Sequence, residues 1–233
     1  MTAVSSALVL ASGSPRRREL LGYLRPSFHI IVTDAEEKDR SLPPAGTMLP
    51  AVSLPQDSHP AMIAWRKARA ACAEVVDSVI IGADTIVVLD GDVIGKPKSP
   101  DHARQLLRRL SGRTHTVYTG LAIIDQAAKE HVRYDVVASD VTLATLSDET
   151  ISSYVATGEP LDKAGAYGIQ GLGGRLVEQV TGSYTNVVGL PLPALHRLLT
   201  AVGVAEIADP FDAYQRWLAD QGKEPLPCPP TLP

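Results

Sequence analysis

Three arginines stand together at Leu10-Ala11-Ser12-Gly13-Ser14-Pro15-Arg16-Arg17-Arg18, where a short apolar run gives way to turn residues. Ser14 is a good helix N-cap and Pro15 suits a first helical turn. Cations in that turn oppose the helix dipole, costing about 0.3–1 kcal/mol each unless an anion compensates. The free N–H groups of the turn already make an anion site, so an oligophosphate docking there would account for the arginines. A solvated basic turn accounts for them equally well, and the stretch alone does not decide. The phosphate loop of the Gly-x4-Gly-Lys-Ser/Thr type is absent.

A second candidate is Asp84, within Ile80-Ile81-Gly82-Ala83-Asp84-Thr85-Ile86-Val87. A carboxylate in so apolar a run is costly to desolvate unless it is paired or binds metal. Gly82 and Ala83 leave room for a ligand to approach the backbone. A turn aspartate that caps its own backbone is the bland alternative. The third candidate is Gly158 to Gly171, where glycines alternate with polar side chains able to wrap a base or sugar; it also fits a tight irregular crossing. Smaller signals are the Glu36-Glu37 pair, Lys67 on a helix of small residues, and Lys96 in the stiff turn Gly95-Lys96-Pro97.

The six histidines show no His-x-His or His-Glu-x-x-His spacing, which argues against zinc, and no Gly-x-Ser-x-Gly elbow suggests a serine hydrolase. What remains is cations at a helix start, isolated acids and a Gly-rich loop. That set suits phosphoanhydride hydrolysis, with cations holding phosphates and carboxylates holding a divalent ion or deprotonating water.

These groups need elements to hold them. Residues 6–11 read as a buried strand, followed by a helix from Pro15 with Leu20, Leu21 and Leu24 inward. Another strand is expected over 28–32, and the Pro-rich stretch 41–56 reads as a loop. Ala61, Ala64, Trp65, Ala68, Ala71, Cys72, Val75 and Val76 recur at helical spacing, predicting a helix over 59–76. Val79–Ile81 and Ile86–Leu89 read as two strand segments separated by Gly82–Thr85, and Asp90-Gly91 as a tight turn. Further helices are expected from Ser99, from Ser147 and over 191–201, and strands near 114–125, 131–145 and 176–181. Such mixing of strands and helices indicates an α/β or α+β sheet.

The chain has 233 residues with a net charge of −4, so no global basic field exists to hold a nucleic-acid backbone. Its two cysteines and the shortness of its N-terminal apolar run lead to the expectation of a cytoplasmic protein with no membrane span. The segment 203–233 is separate in character: Phe211, Tyr214, Trp217 and Leu218 fit one amphipathic helix, and five prolines fall in the last nine residues. The expected division is a domain over 1–202 and a partly disordered C-terminal appendage over 203–233.

Taken together, Leu10 to Arg17, Gly82-Ala83-Asp84-Thr85, Lys96-Pro97, Leu110-Ser111-Gly112, and Gly158-Glu159-Pro160 through Gly171 resemble the Maf nucleotide pyrophosphatases, in that family's order and spacing. The resemblance implies a mixed, elongated α/β sheet flanked by helices, with two lobes around a cleft. It implies hydrolysis of a nucleoside triphosphate to the monophosphate and pyrophosphate. Asp84 would accept the proton of the attacking water. Ser12, Arg17, Lys67 and Lys96 would hold the triphosphate, and Glu37 with Asp84 would bind a divalent metal cation, Mg²⁺ or Mn²⁺. Arg16, Thr85 and Gln170 match the subgroup acting on dTTP and UTP, and a Gln side chain can both donate to and accept from a uracil-type edge. A homodimer is also implied. The rival from another class is a non-catalytic nucleotide-binding regulator of cell division, against which the intact Asp84 and its basic neighbours argue.

Overall fold

Proline opens the helices that begin at residues 15, 60, 100 and 210, where its fixed φ suits the first turn. Strand β1 (Ala7–Ala11) leads into helix α1 (Pro15–Leu24), whose N-cap Ser14 accepts from the Arg17 N–H and whose Leu20, Leu21 and Leu24 are buried. In the computed structural model, which describes residues 7–34, 39–43, 47–54, 56–128 and 131–222, there follow β2 (His29–Ile30), α2 (Pro60–Ala71), β3 (Ser78–Leu89) and β4 (Asp92–Ile94). Then come α3 (Pro100–Leu110), β5 (Thr114–Asp125), β6 (His131–Leu143), α4 (Asp148–Ala156), β7 (Val177–Thr181), α5 (Tyr184–Val188), α6 (Leu192–Ala201) and α7 (Pro210–Gln221).

The strands form one seven-stranded mixed sheet in the order β2-β1-β3-β5-β6-β7, with β4 paired to β3. β1 runs parallel to both β2 and β3, whereas β3–β4 and β6–β7 are antiparallel. The mixed α/β sheet expected from the sequence is therefore present. Asp90 and Gly91 both take positive φ in the two-residue turn between β3 and β4, the turn their identities predict.

Three expectations change. Gly82–Thr85 does not break the strand: β3 is continuous from Ser78 to Leu89, its ladder with β1 ending at Ala11 opposite Gly82 while β5 lies on its other side. The strand near 28–32 shrinks to His29–Ile30. The helix begun at Pro60 ends at Ala71, well before Val76, which is exposed.

The described residues divide into two compact units, 7–84 with 119–137 and 189–222, and 85–118 with 138–188. In the first, α2 lays Met62, Trp65 and Ala68 over Val9, Ile80 and Ala122 of the sheet. Its approach is very close. A Cβ on Gly82 would lie 1.9 Å from the Ala64 carbonyl oxygen, and one on Gly120 would lie 2.2 Å from the Ala61 nitrogen. Small residues on both surfaces thus let the helix backbone sit on the strands.

Helix α7, from the segment beyond residue 203, packs on α1 and α6. Trp217 is fully buried there, and its Nε1 donates to a Glu19 carboxylate oxygen at 3.0 Å. The Tyr23 hydroxyl donates to Asp220 at 2.6 Å, and Arg216 donates to the Tyr23 carbonyl at 2.9 Å.

In the second unit α3 packs against α4. Thr114 bonds Thr142 and Thr116 bonds Asp140, so residue numbers rise along β5 as they fall along β6, the order of an antiparallel pair. Leu110-Ser111-Gly112 closes α3: Gly112 adopts φ 66° and donates to the Ala144 carbonyl, while the Ser111 hydroxyl accepts from the Leu146 N–H. That motif is a structural junction. Between α4 and β7 the Gly-rich stretch forms three short 3-10 turns, Glu159–Asp162, Ala164–Ala166 and Leu172–Leu176.

Candidate active site

Ser12 follows directly on β1, and Asp84 lies two residues beyond the Gly82 that pairs with Ala11. Both therefore emerge from the carboxyl-terminal side of a parallel strand pair. From β1 the sheet extends to β2 on one side and β3 on the other, the kind of switch point at which α/β sheets bind ligands.

Arg17, one of the three consecutive arginines, is turned inward and buried. Its Nε donates to the Gly189 carbonyl at 2.8 Å and its Nη1 to the Ser12 hydroxyl at 3.2 Å. Gly189 takes φ 116°, a conformation open to glycine at little cost. The Ser12 hydroxyl also accepts from the Ser14 N–H. No acidic residue occupies the first turn of α1, so the guanidinium adds its charge to the positive end of the helix. Arg16 is half-buried and Arg18 exposed.

Lys67 and Asp84 form a buried ion pair, Nζ to Oδ1 at 2.7 Å, with only 8% and 5% of each residue exposed. Its geometry follows from the glycine. Side chains alternate along a strand, so Gly82 and Asp84 share one face. Ala64, Lys67 and Ala68 share one side of α2 at i, i+3 and i+4. Where Gly82 admits the helix, Lys67 meets Asp84. The space left by Gly82 is thus filled by Ala64, not open to a ligand as the sequence suggested. Alternation also turns Thr85 to the opposite face of β3.

Thr85, Lys96 and Gln170 belong to the second unit. Thr85 and Gln170 are half-buried, and Lys96 is exposed just after β4. The Gly95 carbonyl accepts from the Gly165 N–H at 3.2 Å, which ties the lysine's turn to the Gly-rich stretch. The Glu159 carboxylate accepts from the Tyr154 hydroxyl at 2.9 Å, the Leu172 N–H at 2.8 Å and the Gly173 N–H at 3.1 Å. Burial would raise the Glu159 pKa, but the Gly173 and Leu172 amides, the Tyr154 hydroxyl and the Lys163 charge together hold it below the ordinary value. His115 Nε2 lies 2.8 Å from the Tyr167 hydroxyl, and burial pulls the imidazole down to about 4.

A family model described as Maf-like protein matches residues 7–202, most of the chain. The chain belongs to the Maf family. Relatives named dTTP/UTP pyrophosphatase in Escherichia coli O157:H7 and in Shigella dysenteriae serotype 1 (strain Sd197) are each 48% identical to it over 199 residues, 84% of this chain and 92% of theirs. A Staphylococcus aureus Ham1 protein of solved structure aligns over 60% of this chain and 72% of its own with 16% identity and a TM-score of 0.38, too slight a likeness to bear on function.

In this Maf chain, then, the structure joins Ser12 to Arg17 and Lys67 to Asp84 by direct bonds. Lys96 and Gln170 lie on two segments of the second unit joined through the Gly95 and Gly165 backbones. Glu37 lies outside the described residues. Among the described residues no group of three His, Cys, Asp or Glu side chains could hold a metal ion. Asp84 is a single buried carboxylate bonded to the Lys67 ammonium; an ion of the magnesium type takes one or two carboxylates and completes its shell with waters and substrate phosphates. Sequence reasoning gave no role to Glu159 or Tyr154. Glu159 stood inside a quoted motif, but its three partners are scattered from 154 to 173 and no local pattern pairs them.

Proposed function

We propose that Asp84, Lys67, Arg17 and Ser12 carry the hydrolysis of a nucleoside triphosphate at its α–β phosphoanhydride bond. The chain is a nucleoside-triphosphate pyrophosphatase, with dTTP and UTP as its substrates; relatives of that name match it along most of its length. The observation that carries the residue assignment is the buried Lys67–Asp84 pair beside the N-terminus of a helix bearing a buried Arg17.

The triphosphate docks against the first turn of α1, where the Arg17 guanidinium, the Ser12 hydroxyl and the positive end of the helix meet its negative charge. Phosphate oxygens compete with Asp84 for Lys67, which leaves the carboxylate open to accept a hydrogen bond from water. A water then attacks the α-phosphorus, giving its proton to Asp84. The new bond is water oxygen to α-phosphorus; the bond broken joins that phosphorus to the bridging oxygen, which leaves with pyrophosphate. Lys96 adds charge to the leaving group. A divalent ion bound by Asp84, and by Glu37 in this reading, neutralises phosphate charge and acidifies water when present. Arg16, Thr85 and Gln170 select the pyrimidine base. A homodimer and a cytoplasmic setting belong to the same proposal.

The test is purified protein with Mg²⁺ or Mn²⁺ against dTTP, UTP, CTP and GTP, with pyrophosphate and orthophosphate detected separately. Pyrophosphate from dTTP and UTP, with little from GTP, is the expected result. Orthophosphate alone, or no turnover by folded protein with either metal, would overturn it.

A further inference from the structure

The stretch from Gly158 to Gly174 carries Gln170 yet has no helix or strand of its own beyond short 3-10 turns. Such a segment needs its backbone groups satisfied by something else. Around Gln170 side chains supply four of these partners. The Tyr154 hydroxyl accepts from the Gly168 N–H at 3.1 Å and donates to Glu159, whose carboxylate accepts from the Leu172 and Gly173 N–H groups. On the near side the Tyr184 hydroxyl donates to the Ile169 carbonyl at 3.2 Å. Gln170 is thus bracketed by anchors one and two residues before it and two and three residues after it.

The glycines record how tightly the segment is drawn in. A Cβ on Gly171 would fall 2.4 Å from a Glu159 carboxylate oxygen, and one on Gly173 would fall 2.4 Å from the Tyr154 hydroxyl. Both positions exclude a side chain because the carboxylate and phenol occupy its place. Glu159 is held in turn: the Lys163 ammonium donates to its carbonyl at 2.6 Å.

We infer that Glu159, together with Tyr154, is a positioning residue for base selection, fixing the backbone on both sides of Gln170 so that the side chain meets the base in one orientation. This rests on the reading of Gln170 as a base-contacting residue. It adds that selectivity resides in a carboxylate that does not itself touch the nucleotide. Misplacing a recognition group by about 1 Å is enough for large losses in rate, and discrimination between bases by hydrogen bonding depends on that placement.

The experiment compares Glu159→Gln, Tyr154→Phe and Gln170→Ala, measuring kcat/KM for UTP, CTP and GTP and the inhibition constant of inorganic tripolyphosphate. Glu159→Gln puts a donor against the Leu172 N–H; Tyr154→Phe deletes one hydroxyl and preserves the ring, so it serves if the first variant does not fold. The expected result is a fall of about tenfold in the UTP preference for both loop variants, with tripolyphosphate inhibition unmoved and little further loss on adding Gln170→Ala. An equal fall for all three nucleotides, or an unchanged preference, would overturn the inference. If Gln170→Ala itself leaves the preference unchanged, the reading of Gln170 fails and takes the inference with it; a shift there beside an unchanged Glu159→Gln sinks the inference alone.

Discussion

The surroundings of Asp84 and those of Gln170 are built in opposite ways. Asp84 stands on a long strand, faces a helix pressed onto that strand, and is bonded side chain to side chain with Lys67. Gln170 stands between short turns, and what holds it is side chains bonded to backbone. The first arrangement depends on the register of regular elements and on missing Cβ atoms; the second depends on one carboxylate with three donors. The charged groups proposed to work on a phosphate are held by helix-on-strand packing, whereas the group proposed to read the base is held by a replaceable clamp.

The largest expected effect falls on the rigid region. Asp84→Asn should lower kcat by about 10²–10⁴-fold, with nucleotide binding still measurable by calorimetry; near wild-type turnover would remove Asp84 as the base. Next comes Gly82→Ala. With Ala64 in the way, α2 must shift, at about 1–3 kcal/mol of stability, and Lys67 must move with it. Denaturant melts should show the first effect and kcat the second. An unperturbed melt would mean that the close approach at Gly82 is not what sets the Lys67–Asp84 geometry.

These two effects also bear on what could be read in advance. Helix α1, its Ser14 cap, α6 and the Asp90-Gly91 turn followed from local chemistry, because each depends on neighbours within a few residues. Asp84 was visible as a lone carboxylate among apolar residues. Its partner was not, since Lys67 meets it only through the packing of α2 on β3. The same holds for β3: turn-type residues at Gly82–Thr85 suggest a break, but the strand lies between β1 and β5 in the sheet, partners that no local pattern reveals. Glu159 escaped for a third reason, its donors being mostly backbone amides that every residue carries.

A smaller effect belongs to the second region. His115 is kept neutral by burial down to about 4, while an unfolded chain takes up that proton near the ordinary 6.5. Between those values the unfolded state binds more protons, so this group's contribution to stability is intact above pH 6.5 and is lost as pH falls toward 4. Melts of wild type and His115→Gln across that range should converge or diverge accordingly; parallel curves would show that His115 is not the titrating group. The smallest effect is expected at exposed Lys96. Lys96→Ala should raise KM modestly at low salt, and the difference should shrink as ionic strength rises. A salt-independent change would mean that Lys96 works at close range in the bound state.

The packing of α7 on α1 has a consequence in time. Glu19 and Trp217 are separated by 198 residues, so a ribosome adding roughly 5–20 residues per second leaves α1 without its cover for on the order of ten seconds or more. Glu19 and Tyr23 are made well before the Trp217 and Asp220 that they bond. The helix that presents Arg17 waits for α7 to be enclosed, and until then a chaperone or a neighbouring chain is the competitor for that surface.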